Sequence, residues 1–229
     1  MKRFLLAAAA PLALLVPGAA SAGVIIAPVA GVIDAGGPGA GSLSDTFNQS
    51  GLLSGYTAGV TDFDSYIATN PLHSIVFGGF EWFGNSGATS AQVTYDLGAI
   101  SGIDALALWN EESAGIGVLD LLLSTDGISF ASVGVFNPFN NPRNSNYGAE
   151  VFSFGATSAR YVRFAMSGCP QAEIGSYPSC SIAEVAFRTA DAVGGAVPEP
   201  ATWALMILGM AGVGGAMRRR RATAAVSYA

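Results

Sequence analysis

Two uncharged apolar runs, one at each end of the chain and each bordered by basic residues, limit what this sequence can fold into. At the front, Lys2 and Arg3 precede an apolar stretch from Phe4 to Val16, which Pro17-Gly18 break. Ala20 and Ala22 then put small residues at the −3 and −1 positions of a cleavage site. This order is the pattern of a secretory signal peptide over 1–22, read by Sec-type export machinery and cut by a signal peptidase after Ala22. At the back, Ala201 to Met217 carry no charge and are followed by Arg218, Arg219, Arg220 and Arg221. A helix of that length spans about 25 Å, near the short limit for a bilayer core, and snorkelling arginines extend it. Trp203 stands where an interfacial aromatic would, and the arginines keep their end in the cytoplasm. Neither run can join the core of the domain between them.

Pro198 and Pro200 hold the chain extended before the second apolar run, as a processing enzyme would need it. Val197-Pro198-Glu199-Pro200, then Trp203-Ala204, an apolar span and an arginine block resemble the PEP-CTERM sorting signal, in its Pro-Glu-Pro-x-x-Trp-Ala form. The resemblance covers 197–221. It implies recognition by an exosortase, a membrane transpeptidase-like enzyme that cuts near the Pro-Glu-Pro. The expected organisation is therefore an exported domain over 23–190, a linker over 191–200, a transmembrane helix over 201–217 and a basic cytoplasmic tail over 218–229. Such a protein sits in the inner membrane before processing and at the cell surface or in the extracellular matrix afterwards. One departure is the extension from Ala222 to Ala229, where members of the family usually stop sooner.

Of ten basic residues, two lie in the leader and four in the tail, while fifteen of sixteen acids lie between Asp34 and Asp191. The exported part thus has four arginines against fifteen carboxylates, a formal charge of −11. It has no basic footprint for nucleic acid. Cys169 and Cys180 both fall in it, and an even pair in an oxidising compartment predicts one disulfide. A zinc site would lack a fourth ligand, because the chain has one histidine, His73, and these two cysteines.

Short segments rich in β-branched and aromatic residues predict strands at 74–77, 91–97, 103–110, 118–124, 128–135, 150–154, 160–166 and 182–188, with a first strand at 24–33. Val162, Phe164 and Met166 alternate with Tyr161, Arg163 and Ala165, as on an antiparallel sheet with one wet face. Val185 and Phe187 alternate with Glu184 and Arg188 in the same way. Thr125-Asp126-Gly127 reads as a hairpin turn. Residues 43–70 read as a long loop with short pieces of structure, and no amphipathic helix is evident over 23–196. The expectation is an all-β sandwich or jelly roll.

Val93-Thr-Tyr-Asp-Leu-Gly98, Ala107-Leu-Trp-Asn110, Leu123-Ser-Thr-Asp-Gly-Ile-Ser-Phe130, Ala159-Arg-Tyr-Val-Arg-Phe164 and Ile182-Ala-Glu-Val185 follow in an order that resembles the discoidin-type, galactose-binding-like jelly roll. The resemblance runs over roughly 91–188. It implies binding of sugars, lipid head groups or proteins through loops at one end. It also implies a structural calcium between an early acidic loop and the glutamate of the last strand, which here matches Asp62, Asp64 and Glu184. Tyr56, Tyr66, Trp82 and Tyr147, on or beside expected loops, are the candidates for stacking on sugar rings. Trp109 reads as core.

Catalysis has little to stand on. Glu111 and Glu112 are adjacent and so point to opposite sides of a strand, a poor acid/base pair that reads as a solvated loop end. No G-x-S-x-G elbow occurs, since Gly84-Asn-Ser-Gly87 is followed by Ala88. The expectation is a non-enzymatic binding or matrix module at the surface; exopolysaccharide as what it engages is what the PEP-CTERM resemblance implies. The alternatives are a self-associating structural protein and an envelope hydrolase with an unrecognised site.

Overall fold

The computed structural model describes residues 23–171, 177–190, 206–212, 214 and 218. The chain divides into two units, Met1–Ala192 and Val193–Ala229. In the second, residues 206–212, 214 and 218 are helical. Among the described residues no helix is long and apolar enough to cross a membrane. The expected leader over 1–22, the linker over 191–200 and most of the span over 201–217 lie outside the described residues.

The first unit is built almost wholly of strands. They are β1 (Ile25–Ile26), β2 (Ala30–Ala35), β3 (Ala40–Gly41), β4 (Leu72–His73), β5 (Trp82–Phe83), β6 (Ser90–Trp109), β7 (Val118–Ser124), β8 (Ala131–Phe136), β9 (Tyr147–Gly148), β10 (Glu150–Ser167), β11 (Ser181–Ile182) and β12 (Glu184–Thr189). One short helix, α1 (Phe63–Ala68), and 3-10 turns at Leu43–Phe47 and Val76–Gly78 complete it.

The two long strands organise everything else. β6 joins the two strands expected at 91–97 and 103–110, and β10 joins those expected at 150–154 and 160–166. They pair antiparallel along their length, with register shifts between Ser153 and Thr157 and between Ala159 and Tyr161. Gly98 sits at φ 82 where β6 passes from one half to the other. The first half of β6 pairs with β2, and the second half of β10 pairs with β7, which pairs with β8. The second half of β6 pairs with β12, which pairs with β1. Two layers thus share two bent strands, and the inward side chains of both meet in one core. Val93, Tyr95, Leu121, Val162 and Phe164 come from the first layer, and Leu106, Leu108, Val185 and Phe187 from the second. Phe152 of β10 meets Phe136 of β8 across the sandwich, ring centroids 4.8 Å apart.

The expected one-wet-face alternation holds in the first layer. Val162, Phe164 and Met166 are buried, and Tyr161 and Arg163 face outward. It fails in the second, where Glu184 and Ala186 are as buried as Val185 and Phe187. The reason is a third layer. Alanines 105, 107 and 186 leave room on the outer face for Tyr56, Phe63 and Tyr66 to pack against Ile25 and Trp109. α1 forms there because Asp62 caps it, accepting from Ser65 N at 2.7 Å, and because Phe63 and Tyr66 bury one side. The Trp109 indole N–H donates to the Pro71 carbonyl at 2.8 Å, tying the cap to the sheet.

Other boundaries shift for local reasons. The expected first strand divides at Pro28, which has no N–H to offer a ladder. The expected strand at 74–77 is a turn, with Gly79 at φ 76 ending it. Cys169 and Cys180 form the expected disulfide.

Candidate functional site: a clamped aromatic loop

Between β8 and β9 runs Asn137-Pro138-Phe139-Asn140-Asn141-Pro142. Turn-forming residues surround a single aromatic, so this segment has no alternating partner to carry Phe139 into the core. Phe139 is 63% exposed. The loop that presents it is pinned from three sides. Phe139 N donates to the Glu150 carboxylate at 2.7 Å. The Phe139 carbonyl accepts from Asn110 Nδ2 at 3.0 Å, and the Pro138 carbonyl from Gln171 Nε2 at 2.7 Å. Asn141 Nδ2 donates to the Asn110 carbonyl at 2.6 Å. Asn110 is itself buried and held by Ile116 N and Gln171. A cleft of about 380 Å³ opens beside the loop, lined by Leu108, Asn110, Phe139, Asn141, Ala149 and Glu150. An exposed flat ring next to amide and carboxylate groups can stack on one face of a ligand and hydrogen-bond its edge.

The next residues after Asn110 go inward. Glu111 and Glu112 are fully buried, which corrects the expected solvated loop end. Glu111 is fixed by Ser113 N at 2.9 Å, Ser113 Oγ at 2.8 Å and Ser181 Oγ at 3.0 Å. Glu112 accepts from Val76 N at 3.1 Å. Glu81 joins them, buried, with neither carboxylate oxygen in a hydrogen bond and one of them 3.8 Å from His73 Nδ1. Burial pushes Glu81 up to about 8, and the Glu111 and Glu112 charges add to it. Burial also holds Glu111 above the usual carboxyl range, with Glu112 adding to the effect. The same burial holds His73 below its usual value. These acids are closed to any substrate, so they are core chemistry rather than an acid/base pair.

The expected stacking aromatics are not at the surface. Tyr56, Tyr66, Trp82 and Tyr147 are all buried, because the cap layer and the short strand pairs enclose them. The Tyr66 hydroxyl donates to the Ser54 carbonyl and the Trp82 indole to the Pro38 carbonyl. Tyr147 packs on His73, ring centroids 5.4 Å apart. The expected calcium ligands are not brought together either. Asp62 uses one oxygen for its cap, the other having no partner, and Asp64 pairs with Arg188 at 2.9 Å. Glu184 lies buried under the 49–56 loop, one oxygen accepting from Gln49 N at 3.0 Å and the other unpartnered. Among the described residues no group of three or more His, Cys, Asp or Glu side chains is placed to hold a metal. The three residues named for calcium therefore do not fit it, and no role is derived from it.

Ala20, Ala22, Val197, Pro198, Glu199, Pro200, Trp203, Ala204, Arg219, Arg220 and Arg221 lie outside the described residues. Phe139 was missed in the sequence, although its isolation among turn-formers is a legible signal of exposure.

Layered antiparallel sheets sharing two long bent strands define an all-β sandwich. The chain also carries the PEP-CTERM protein-sorting motif, matched over 196–221. No curated protein sequence matches the chain. Among solved structures it is similar to the CBM32 of AlyQ in complex with 4,5-unsaturated mannuronic acid, at 18% identity and TM-score 0.43, over 71% of this chain and 96% of that one. It is also similar to chitosan-binding module 1 of the chitosanase/glucanase from Paenibacillus sp. IK-5, at 17% identity and TM-score 0.44, over 69% and 92%. A truncated AlyQ with CBM32 and alginate lyase domains gives 19% identity and TM-score 0.45, over 76% and 36%. The fold rests on the strand pairing of the chain itself.

Proposed function

We propose that this is an exported surface protein whose sandwich is a non-enzymatic binding module for exopolysaccharide. In this reading the Sec route delivers the domain outward and signal peptidase cuts after Ala22. The tail anchors it in the inner membrane until an exosortase acts near Pro198–Pro200, leaving it at the cell surface or in the matrix. The sorting motif over 196–221 supports the route. The single observation supporting glycan binding is Phe139, exposed on a loop whose backbone is held by Glu150, Asn110 and Gln171. A ring held rigidly in solvent loses little entropy when a sugar stacks on it.

The test uses the full-length chain in a detergent without sugar head groups, on an array of bacterial exopolysaccharide fragments. Binding should be seen, and Phe139→Ala should weaken it about tenfold. An array with no hits, or hits indifferent to Phe139, would refute the reading.

A further inference from the structure

The outer face of the first layer holds a second feature, away from the clamped loop. Strand register lays outward side chains in two rows. Ala30, Asp96, Tyr161 and Ser124 are successive cross-strand partners, and so are Val32, Thr94, Arg163 and Leu122. The rows are about 7 Å apart, two residues along a strand. A groove of about 360 Å³ runs over them, bounded by Val32, Asp34, Asp126, Gly127, Tyr161 and Arg163.

Its polar groups are prearranged. Arg163 lies flat on Phe130, 3.7 Å from the ring centre. Its Nε donates to Thr94 Oγ1 at 2.9 Å and stands 3.5 Å from Asp34. Asp96 is held bidentately by Arg160, both contacts at 2.9 Å. Asp126 gathers Ile128 N and Ser129 N on one oxygen, leaving the other out of those bonds. Tyr161 forms one wall, with Gly127 beside it at φ 74, where a Cβ would come within 3.2 Å of the ring. The groove therefore offers the Tyr161 ring, with the Arg160 guanidinium 5.0 Å from its centre, and the Arg163 guanidinium beyond its Nε. It also offers one carboxylate oxygen each on Asp34 and Asp126, since Thr94 Oγ1 donates to the other oxygen of Asp34.

We infer that this sheet-face groove is a second saccharide site, which takes neutral hexopyranose units. Paired donors and acceptors on one plane match the vicinal hydroxyls of a pyranose, and the ring beside them matches its apolar face. Three aspartates line the groove and the exported part carries −11 overall, which disfavours uronic acids and other anions. The inference goes beyond the clamped-loop reading and shares with it only the export of the domain.

The experiment is isothermal titration of the full-length chain, in the same detergent, with cellohexaose, mannohexaose, maltohexaose and glucuronic acid. Phe139→Ala removes the loop platform and should leave one neutral hexaose binding at the groove. In that background Val32→Trp plugs the groove. Val32 is 62% exposed, so the larger side chain fills the groove and leaves the core untouched. Val32→Trp and Tyr161→Ala should each weaken binding at least about tenfold, while Tyr161→Phe keeps it. Glucuronic acid should bind more weakly than any neutral sugar that titrates. The proposal is overturned if the Phe139→Ala chain binds no neutral hexaose, or if adding Val32→Trp changes nothing. Complete loss of wild-type binding on Val32→Trp alone, with Phe139→Ala silent, would instead sink the loop reading and leave the groove standing.

Discussion

Raising the pH should destabilise this domain, and Glu81 shows by how much. An exposed glutamate ionises near 4.5, whereas burial and the Glu111 and Glu112 charges push Glu81 up to about 8. Between those values the folded chain retains a proton that the unfolded chain has released. Its stabilising contribution is complete below about 4.5 and is lost as pH rises through about 8. Each pH step within that window costs about 1.4 kcal/mol per retained proton, so Glu81 alone loses about 4 kcal/mol between pH 5 and pH 8. Glu184, pushed up to about 9 by burial, acts in the same direction. His73 opposes them: held below its usual value by burial, it favours the fold as pH rises toward 6.5 and adds nothing above that. One histidine against several carboxyls leaves a net fall, steepest above pH 6.5. A domain of this size has only about 5–15 kcal/mol in all, and about 4 kcal/mol corresponds to a melting shift on the order of 10 °C. Tryptophan-fluorescence melts at pH 5, 6, 7 and 8 and constant ionic strength measure it. Glu81→Gln keeps the shape but cannot ionise, so it should flatten the slope. A melting temperature that climbs from pH 5 to 8, or a Glu81→Gln slope equal to that of the wild type, would refute the reasoning.

Three further outcomes follow from the packing. Trp109→Ala removes the fully buried indole between cap and sheet and should cost about 3–5 kcal/mol in urea unfolding. Replacing Cys169 and Cys180 together by serine opens a short loop and should cost about 3 kcal/mol, with no added effect of reductant. Gly41→Ala would drive a Cβ into the Glu81 carbonyl at a residue with φ 71, so it should destabilise by about 1–3 kcal/mol or more, read as a lowered denaturant midpoint.

Much of the first layer is legible in the residue pattern. Val118–Ser124 is a strand with the bounds its apolar run predicts, and Val162, Phe164 and Met166 point inward as their alternation requires. Alternation reports the two sides of one strand, and where one side meets water the two sides differ in polarity. The cysteine pair and the sorting tail are equally local: one needs only an oxidising address, the other only a short contiguous segment.

The second layer is different, because both of its sides are covered. Whether Glu184, Glu111 and Glu112 meet water depends on where residues 43–81 lie, and those are 30 to 141 positions away along the chain. Alternation carries no information about such a cover. Docking of that segment on Ala105, Ala107 and Ala186 buries its own Tyr56 and Tyr66, so aromatics that read as loop residues become core. Phe139 ends up outside because Asn110, Gln171 and Glu150, from three separate segments, hold its backbone away from the core. Order along the chain decides which residues can pair with their neighbours, but burial on the second face is decided by elements that meet only once the chain has folded.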